Sequence, residues 1–115
     1  SHNEGFYHGP YSIARLQALA DVIQMRLPGC PIGIVGQNPR VSPAPYIIPH
    51  AQRRTEWFAY ARSKGWLFVD AYKAIQDGAA AAETTVTAWT KADGVHPYPA
   101  ASAVWAQTAY TALGS

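Results

Sequence analysis

The spacing of apolar residues divides the chain into helices that alternate with short strands. From Tyr11 to Leu27, apolar side chains recur every three or four residues, which predicts an amphipathic helix with one buried stripe. The stripe consists of Ile13, Leu16, Ala20, Ile23 and Leu27, and Leu19 and Val22 widen it. Pro28 and Gly29 follow and end the helix.

Two apolar runs predict strands. Residues 31–37 hold a run of β-branched side chains, as expected for a strand covered on both faces, and residues 66–69 form a second run. Between them, the prolines of residues 41–49 predict a loop, and residues 50–64 predict a helix with Pro49 in its first turn. Strand, helix and strand within about forty residues predict a right-handed βαβ unit with parallel strands.

The remaining chain reads as two further helices and an ambiguous segment. Asp70 is predicted to cap a helix over residues 71–76. Residues 77–92 carry an alanine run and a threonine-rich stretch, and they fit either a loop or a short helix. Pro99 is predicted to start a last helix that reaches about Leu113.

Composition narrows the function classes. A chain of 115 residues that is 49% hydrophobic and 14% charged is one globular domain at most. The net charge of +2, with no basic run longer than Arg53-Arg54, argues against a nucleic-acid partner. No uncharged apolar run of about eighteen residues is present, so we predict no transmembrane segment. Cys30, the single cysteine, leaves the compartment undecided.

The strongest chemical motif is Asp93-Gly94-Val95-His96-Pro97. Gly94 permits a tight turn and Pro97 keeps His96 out of helical backbone, so the carboxylate can contact one imidazole nitrogen while the other faces outward. A general base is oriented in this way in hydrolases whose nucleophile is a hydroxyl. The same short spacing also occurs by chance in surface turns.

Together with Asn3, this motif resembles the carboxy-terminal half of an SGNH (GDSL-type) hydrolase. Asp93 and His96 match that family's Asp-x-x-His block, and Asn3 matches the Asn of its Gly-x-Asn-Asp block, with Ser1 and Glu4 where Gly and Asp are usual. The resemblance implies an α/β fold, a three-layer α/β/α flavodoxin-like parallel sheet of five strands. Residues 1–115 would then be the carboxy-terminal part of a single SGNH hydrolase domain whose first three strands precede Ser1.

A physical argument that does not depend on the family also says that the sheet is incomplete. Two parallel strands with four helices cannot cover both faces of a sheet, and both strands would keep an edge of unpaired backbone groups. We therefore expect a missing amino-terminal segment, a second chain or a partner protein to complete the sheet.

The activity that the resemblance implies is serine ester hydrolysis by a Ser-His-Asp triad. His96 would be the general base, Asp93 would fix its tautomer, and the Asn3 amide would donate to the oxyanion. No Gly-Asp-Ser occurs in the chain, so the nucleophile should come from a segment absent here, and the isolated chain should be inactive. No metal or organic cofactor is expected, because the histidines lack zinc-ligand spacing.

Substrate contacts are predicted near the first strand and at the start of the chain. Loops at the carboxyl ends of parallel strands line the ligand crevice, which favours Asn38 and Arg40, although Arg40 could equally be a solvated loop residue. Phe6 and Tyr7 would lie near Asn3 and could line a pocket or simply pack over the next helix. The aromatic residues that would suit stacking on sugar rings are Phe6, Tyr7, Tyr46 and Tyr98.

These residue types favour an ester on a carbohydrate or glycolipid, such as an acetylated glycan, over a long-chain lipid. A hydrolase domain delivered in pieces, in a sequence rich in Ala, Trp, Thr and Pro, favours an extracellular, cell-wall-facing or virion-associated setting. The rival hypothesis is a non-catalytic carbohydrate-binding or structural module derived from an SGNH hydrolase.

Overall fold

The computed structural model describes residues 9–114, which form a mixed α/β structure. The elements in chain order are α1 (Pro10–Arg26), β1 (Gly33–Val35), α2 (Ala44–Ser63), β2 (Leu67–Val69), α3 (Ala71–Ala81) and α4 (Pro99–Gly114). The strands are parallel, with Gly33 opposite Leu67 and Val35 opposite Val69. The predicted βαβ unit is confirmed, although each strand is shorter than predicted. The sheet has two strands within the described residues, and a five-stranded sheet stays a prediction.

Helix α2 begins earlier than its proline content suggested. The predicted loop over residues 41–49 is confirmed for residues 41–43 and wrong for residues 44–49, because the helix starts at Ala44 with Pro43 as its N-cap residue. A proline in the first helical turn costs no hydrogen bond, since that N–H has no helical acceptor. Pro49 lies inside the helix, where it removes one hydrogen bond without ending the helix. His50 is therefore an interior residue of α2, and its side chain is buried.

Helix α1 buries a narrower face than its apolar pattern predicted. Leu16 and Ala20 are buried as expected. The prediction is wrong for three members of the stripe and its extension, each at least 50% exposed: Leu19, Val22 and Leu27. Helix α1 packs on α2, where the Trp57 indole donates to the Ser12 hydroxyl at 2.6 Å, and one neighbouring helix covers only a narrow strip. An apolar face of α1 is left in solvent.

Helix α3 begins as predicted and ends later. The Asp70 side chain accepts a hydrogen bond from the Lys73 N–H at 3.2 Å, which confirms the predicted cap. The helix continues past residue 76 through the alanine run to Ala81, because alanine has the highest helix propensity. Helices α3 and α4 pack closely, and Gly78 faces the side chains of Trp89 and Val104.

Aromatic side chains of α2 and α4 contact the sheet and the residue that follows β1. The Phe58 ring of α2 packs edge-on against Phe68 of β2, with ring centroids 5.3 Å apart. The indole N–H of Trp105 in α4 donates to the Gly36 carbonyl at 2.9 Å. The most deeply buried hydrophobic residues of the core are Ala61, Val69, Ala71, Ile75, Ala79 and Ala101.

Candidate active site

Asp93 and His96 form a hydrogen-bonded pair within one tight turn. One carboxylate oxygen, Oδ1, accepts from the backbone N–H groups of Val95 at 2.8 Å and His96 at 2.9 Å. The other, Oδ2, lies 2.6 Å from His96 Nδ1. Gly94 makes the turn possible with a φ of +74°. The expected contact between carboxylate and imidazole is present, and its catalytic role stays a prediction.

The hydrogen bonds to Asp93 set its charge state. The backbone N–H of His96 lowers the pKa of the Asp93 carboxyl most, followed by the N–H of Val95 and the His96 side chain. Asp93 is therefore a carboxylate across the neutral pH range. A carboxylate can only accept hydrogen bonds, so the contact with Asp93 places a proton on His96 Nδ1, and the lone pair of the neutral imidazole lies on Nε2. That tautomer is the one that a general base requires.

His96 presents its second nitrogen to solvent. The side chain is 70% exposed, and no hydrogen bond from the described residues engages Nε2. The turn itself is held by its own ends, because Lys91 N–H donates to the His96 carbonyl at 2.8 Å and Thr90 pairs with Pro97 in an antiparallel bridge. The exposed His96 side chain is thus attached to a backbone held by hydrogen bonds.

The loop after β1 contacts the Asp93–His96 turn at successive positions. Val41 N–H donates to the Gly94 carbonyl at 3.0 Å, and the Asn38 side-chain amide donates to the Val95 carbonyl at 2.8 Å. Gly94 packs so closely on Ser42 that an added Cβ would lie 1.7 Å from the Ser42 hydroxyl oxygen. The pair therefore lies at the carboxyl end of β1, where parallel sheets place their ligand sites.

Two buried residues of α2 support this loop, and sequence reasoning missed both. His50 is 4% exposed and Arg53 is 3% exposed. His50 Nε2 lies 3.0 Å from the Asn38 backbone carbonyl, and Arg53 Nη2 lies 3.1 Å from His50 Nδ1. A carbonyl only accepts and a guanidinium only donates, so His50 is neutral with its proton on Nε2. The signal available was their three-residue spacing on one face of the helix predicted over residues 50–64.

The predicted substrate-contact residues differ in what they contact. Asn38 directs its amide to the Asp93–His96 turn. Arg40 donates from Nε to the Ser42 carbonyl at 3.1 Å, and its guanidinium lies 4.6 Å from the centre of the Tyr46 ring. Tyr98 is exposed just beyond the turn. Contact of Asn38 and Arg40 with a substrate stays a prediction.

Three predicted site residues, Asn3, Phe6 and Tyr7, lie outside the described residues. Within residues 9–114, no group of three or more His, Cys, Asp or Glu side chains could hold a metal ion. Beside the support network is a cavity of about 30 Å³ lined by residues that include Gln37, His50 and Arg53. Gln37 Oε1 is buried without a hydrogen-bond partner among the described residues, and the cavity can hold one water molecule.

Comparisons with protein-family models, with curated proteins and with solved structures find no match for this chain. None of the helices formed by residues 9–114 is long and apolar enough to cross a membrane. The arguments for function therefore come from the geometry of the Asp93–His96 pair and its surroundings.

Proposed function

We propose that this chain supplies the general base and its carboxylate to a serine ester hydrolase, and that another segment supplies the serine. The observation that carries the proposal is the Asp93–His96 pair, with Nδ1 bonded to the carboxylate and Nε2 facing solvent. The pair lies on a fixed turn at the carboxyl end of β1. This arrangement matches the base and the orienting acid of a Ser-His-Asp triad.

The chemistry follows from the protonation states. As the serine oxygen attacks the ester carbonyl, His96 Nε2 takes the hydroxyl proton, and Asp93 stabilises the resulting imidazolium. The tetrahedral intermediate collapses when His96 returns the proton to the departing alkoxide, which leaves an acyl-serine and a free alcohol. Water then repeats the sequence, releases the acid and regenerates the serine. Asn3 is the proposed side-chain donor to the oxyanion.

The serine is assigned to another segment because of the contacts of the serines in the described part of the chain. None of them forms a hydrogen bond with His96. Ser12 is fully buried and accepts from the Trp57 indole, and Ser63 donates to the Tyr60 carbonyl at the end of α2. Ser42 packs against Gly94 and supports the turn.

The free edge of β1 is the proposed attachment point for the completing segment. Leu67 N–H donates to the Ile32 carbonyl at 3.1 Å, and Gly36 N–H donates to the Val69 carbonyl at 2.8 Å. Backbone groups alternate between the two sides of a strand, so those of Gly33 and Val35 face away from β2. A further parallel strand would satisfy them and extend the sheet.

The proposed substrate is an ester borne by a carbohydrate or glycolipid. Tyr98 presents an exposed ring two residues after His96. Arg40, in the loop after β1, lies over the Tyr46 ring at the start of α2, and this pair suits the hydroxyl groups and the apolar face of a sugar ring.

Fluorophosphonate labelling tests the proposal. The native protein that contains this chain is labelled together with any polypeptide that purifies with it, and mass spectrometry locates the modified serine. We expect a single labelled serine and a labelling rate that falls by about 10²- to 10⁴-fold in His96→Gln. Lys91→Gln is the matched control, because it changes an exposed side chain of the same turn and keeps the backbone N–H that holds His96.

Equal labelling of wild type and His96→Gln would contradict the triad. Absence of any labelled serine in the native protein would favour the non-catalytic carbohydrate-binding module, and glycan binding would then be measured on the same material.

A further inference from the structure

The peptide group between Val95 and His96 is held at both ends. Its N–H, that of His96, donates to Asp93 Oδ1 at 2.9 Å. Its carbonyl, that of Val95, accepts from Asn38 Nδ2 at 2.8 Å. Donors and acceptors on one peptide polarise each other, so the Asn38 contact strengthens the hydrogen bond to Asp93. The Asn38 amide also makes a longer contact, 3.3 Å, to the Pro39 carbonyl.

Asn38 is itself held by the buried residues of α2. The His50 Nε2–H donates to the Asn38 backbone carbonyl at 3.0 Å, and Arg53 donates to His50 Nδ1 at 3.1 Å. Both side chains are nearly excluded from bulk solvent, so the loss of a partner leaves a buried polar atom that bulk water does not reach. A continuous path of hydrogen bonds therefore runs from the interior of α2 through Asn38 to the carboxylate of Asp93.

We propose that Asn38 is a positioning residue for the Asp93–His96 pair, and that His50 holds Asn38 in place for this role. The catalytic consequence rests on the proposed function, whereas the effect on the pair itself does not. Asn38 acts through the Val95–His96 peptide, and it touches neither His96 Nε2 nor the reacting atoms.

Loss of the Asn38 amide would allow the Val95–His96 peptide group to rotate. Without its donor, the Val95 carbonyl can turn toward water, and the same rotation moves the His96 N–H away from Asp93. That N–H is the largest cause of the low pKa of Asp93, so its displacement raises the pKa toward the ordinary value of 3.8. The carboxylate also loses the orientation that directs Oδ2 at His96 Nδ1.

The test compares Asn38→Ala and Asn38→Ser with Trp105→Phe in the full chain. Neither small side chain reaches the Val95 carbonyl. Trp105→Phe removes a hydrogen bond of the same kind, from a side chain to the Gly36 carbonyl, without touching the Asp93–His96 turn. Carbon-13 NMR follows the titration of the Asp93 carboxyl, thermal unfolding follows stability, and kcat/KM is measured on the native, serine-containing protein.

We expect the Asp93 midpoint to move up in both Asn38 variants and to stay at the wild-type position in Trp105→Phe. We expect kcat/KM to fall roughly 10- to 100-fold in the Asn38 variants, as for a reacting group displaced by about 1 Å. An Asp93 midpoint that the Asn38 variants leave unchanged would overturn the inference whatever the activity. A wild-type protein without His96-dependent labelling would overturn the proposed function, and the Asp93 titration would still decide the role of Asn38.

A second pair of variants covers the case in which the Asn38 variants do not fold. Gln at position 50 places its amide nitrogen where His50 Nε2 lies, and Asn places its amide nitrogen at Nδ1. We expect His50→Gln to keep the low Asp93 midpoint and His50→Asn to raise it, because only the first retains a donor to the Asn38 carbonyl. Identical Asp93 titrations in the two variants would remove His50 from the proposal.

Discussion

Asp93 and His96 are three residues apart, and their contact therefore depends on a single turn. The sequence was sufficient to predict it, because Gly94 supplies the positive φ and Pro97 keeps His96 extended. The support from Asn38 was not predictable in the same way. Asn38 is 57 residues from Val95 along the chain, and only the folded arrangement brings the two loops together.

Gly94 is required for a second reason besides its backbone conformation. An added Cβ would lie 1.7 Å from the Ser42 hydroxyl oxygen and 2.7 Å from the Ser42 nitrogen. Gly65 has a similar φ of +70°, and a Cβ there would meet nothing within 4 Å. Comparison of the two positions separates the backbone cost from the packing cost.

We expect Gly65→Ala to lower the free energy of unfolding by about 1 kcal/mol, the cost of left-handed backbone for a residue with a Cβ. Gly94→Ala should lower it by at least about 1 kcal/mol more, because the loop carrying Ser42 must move away. Urea unfolding of the two variants provides the measurement. Equal losses at the two positions would mean that the contact between Gly94 and Ser42 does not constrain the turn.

At the scale of elements, helix α2 decides which residues support the site. Its start at Ala44 places His50 and Arg53 in the helix interior, facing the loop after β1. The prolines of the preceding segment favoured a loop by local propensity, and packing of α2 on β2 and α1 outweighed that preference. By contrast, local sequence pattern alone was enough to predict the strands, the Asp70 cap and the last helix, because no tertiary contact opposed the local preference there.

We therefore expect Pro49 to lower the stability of α2, and we do not expect the helix to require it in order to form. A proline in a helix interior costs up to about 3 kcal/mol relative to alanine, whereas one in the first turn does not. We expect Pro49→Ala to raise the free energy of unfolding by about 1–3 kcal/mol. Pro45→Ala, in the first turn, should leave it unchanged or lower it slightly. If thermal unfolding shows Pro49→Ala to be no more stable than wild type, Pro49 contributes to the packing of α2 as much as it costs the helix.

At the scale of the whole molecule, the described residues form a βαβ unit in which α1 buries only part of its apolar surface. The helix pattern predicted the apolar residues correctly and their burial incorrectly, because sequence periodicity does not say what covers a face. Beside that face, no strand among residues 9–114 pairs with the Gly33 and Val35 backbone groups of β1. The proposed completing segment would cover the face and the edge together.

Leu19 provides the test of this arrangement. It is 60% exposed and lines a groove of about 440 Å³ between α1 and β1, together with Leu16, Ile34 and Trp57. In the isolated chain, Leu19→Lys should change the free energy of unfolding by no more than about 0.5 kcal/mol, as for other surface substitutions. In the native protein that contains the labelled serine, the same variant should lower stability by about 1.5–3 kcal/mol, because a buried leucine would be replaced by a charge.

Tyr110→Lys is the matched control, because Tyr110 is an exposed aromatic residue on α4 that does not line the groove. Urea denaturation of the native protein and of the isolated chain gives all four values. A loss confined to Leu19→Lys in the native protein would place the completing segment against α1 and β1, since only burial by that segment distinguishes the two proteins. Equal effects of the two substitutions would mean that the segment carrying the serine does not cover the exposed face of α1. The serine would then have to approach His96 from the side of Tyr98.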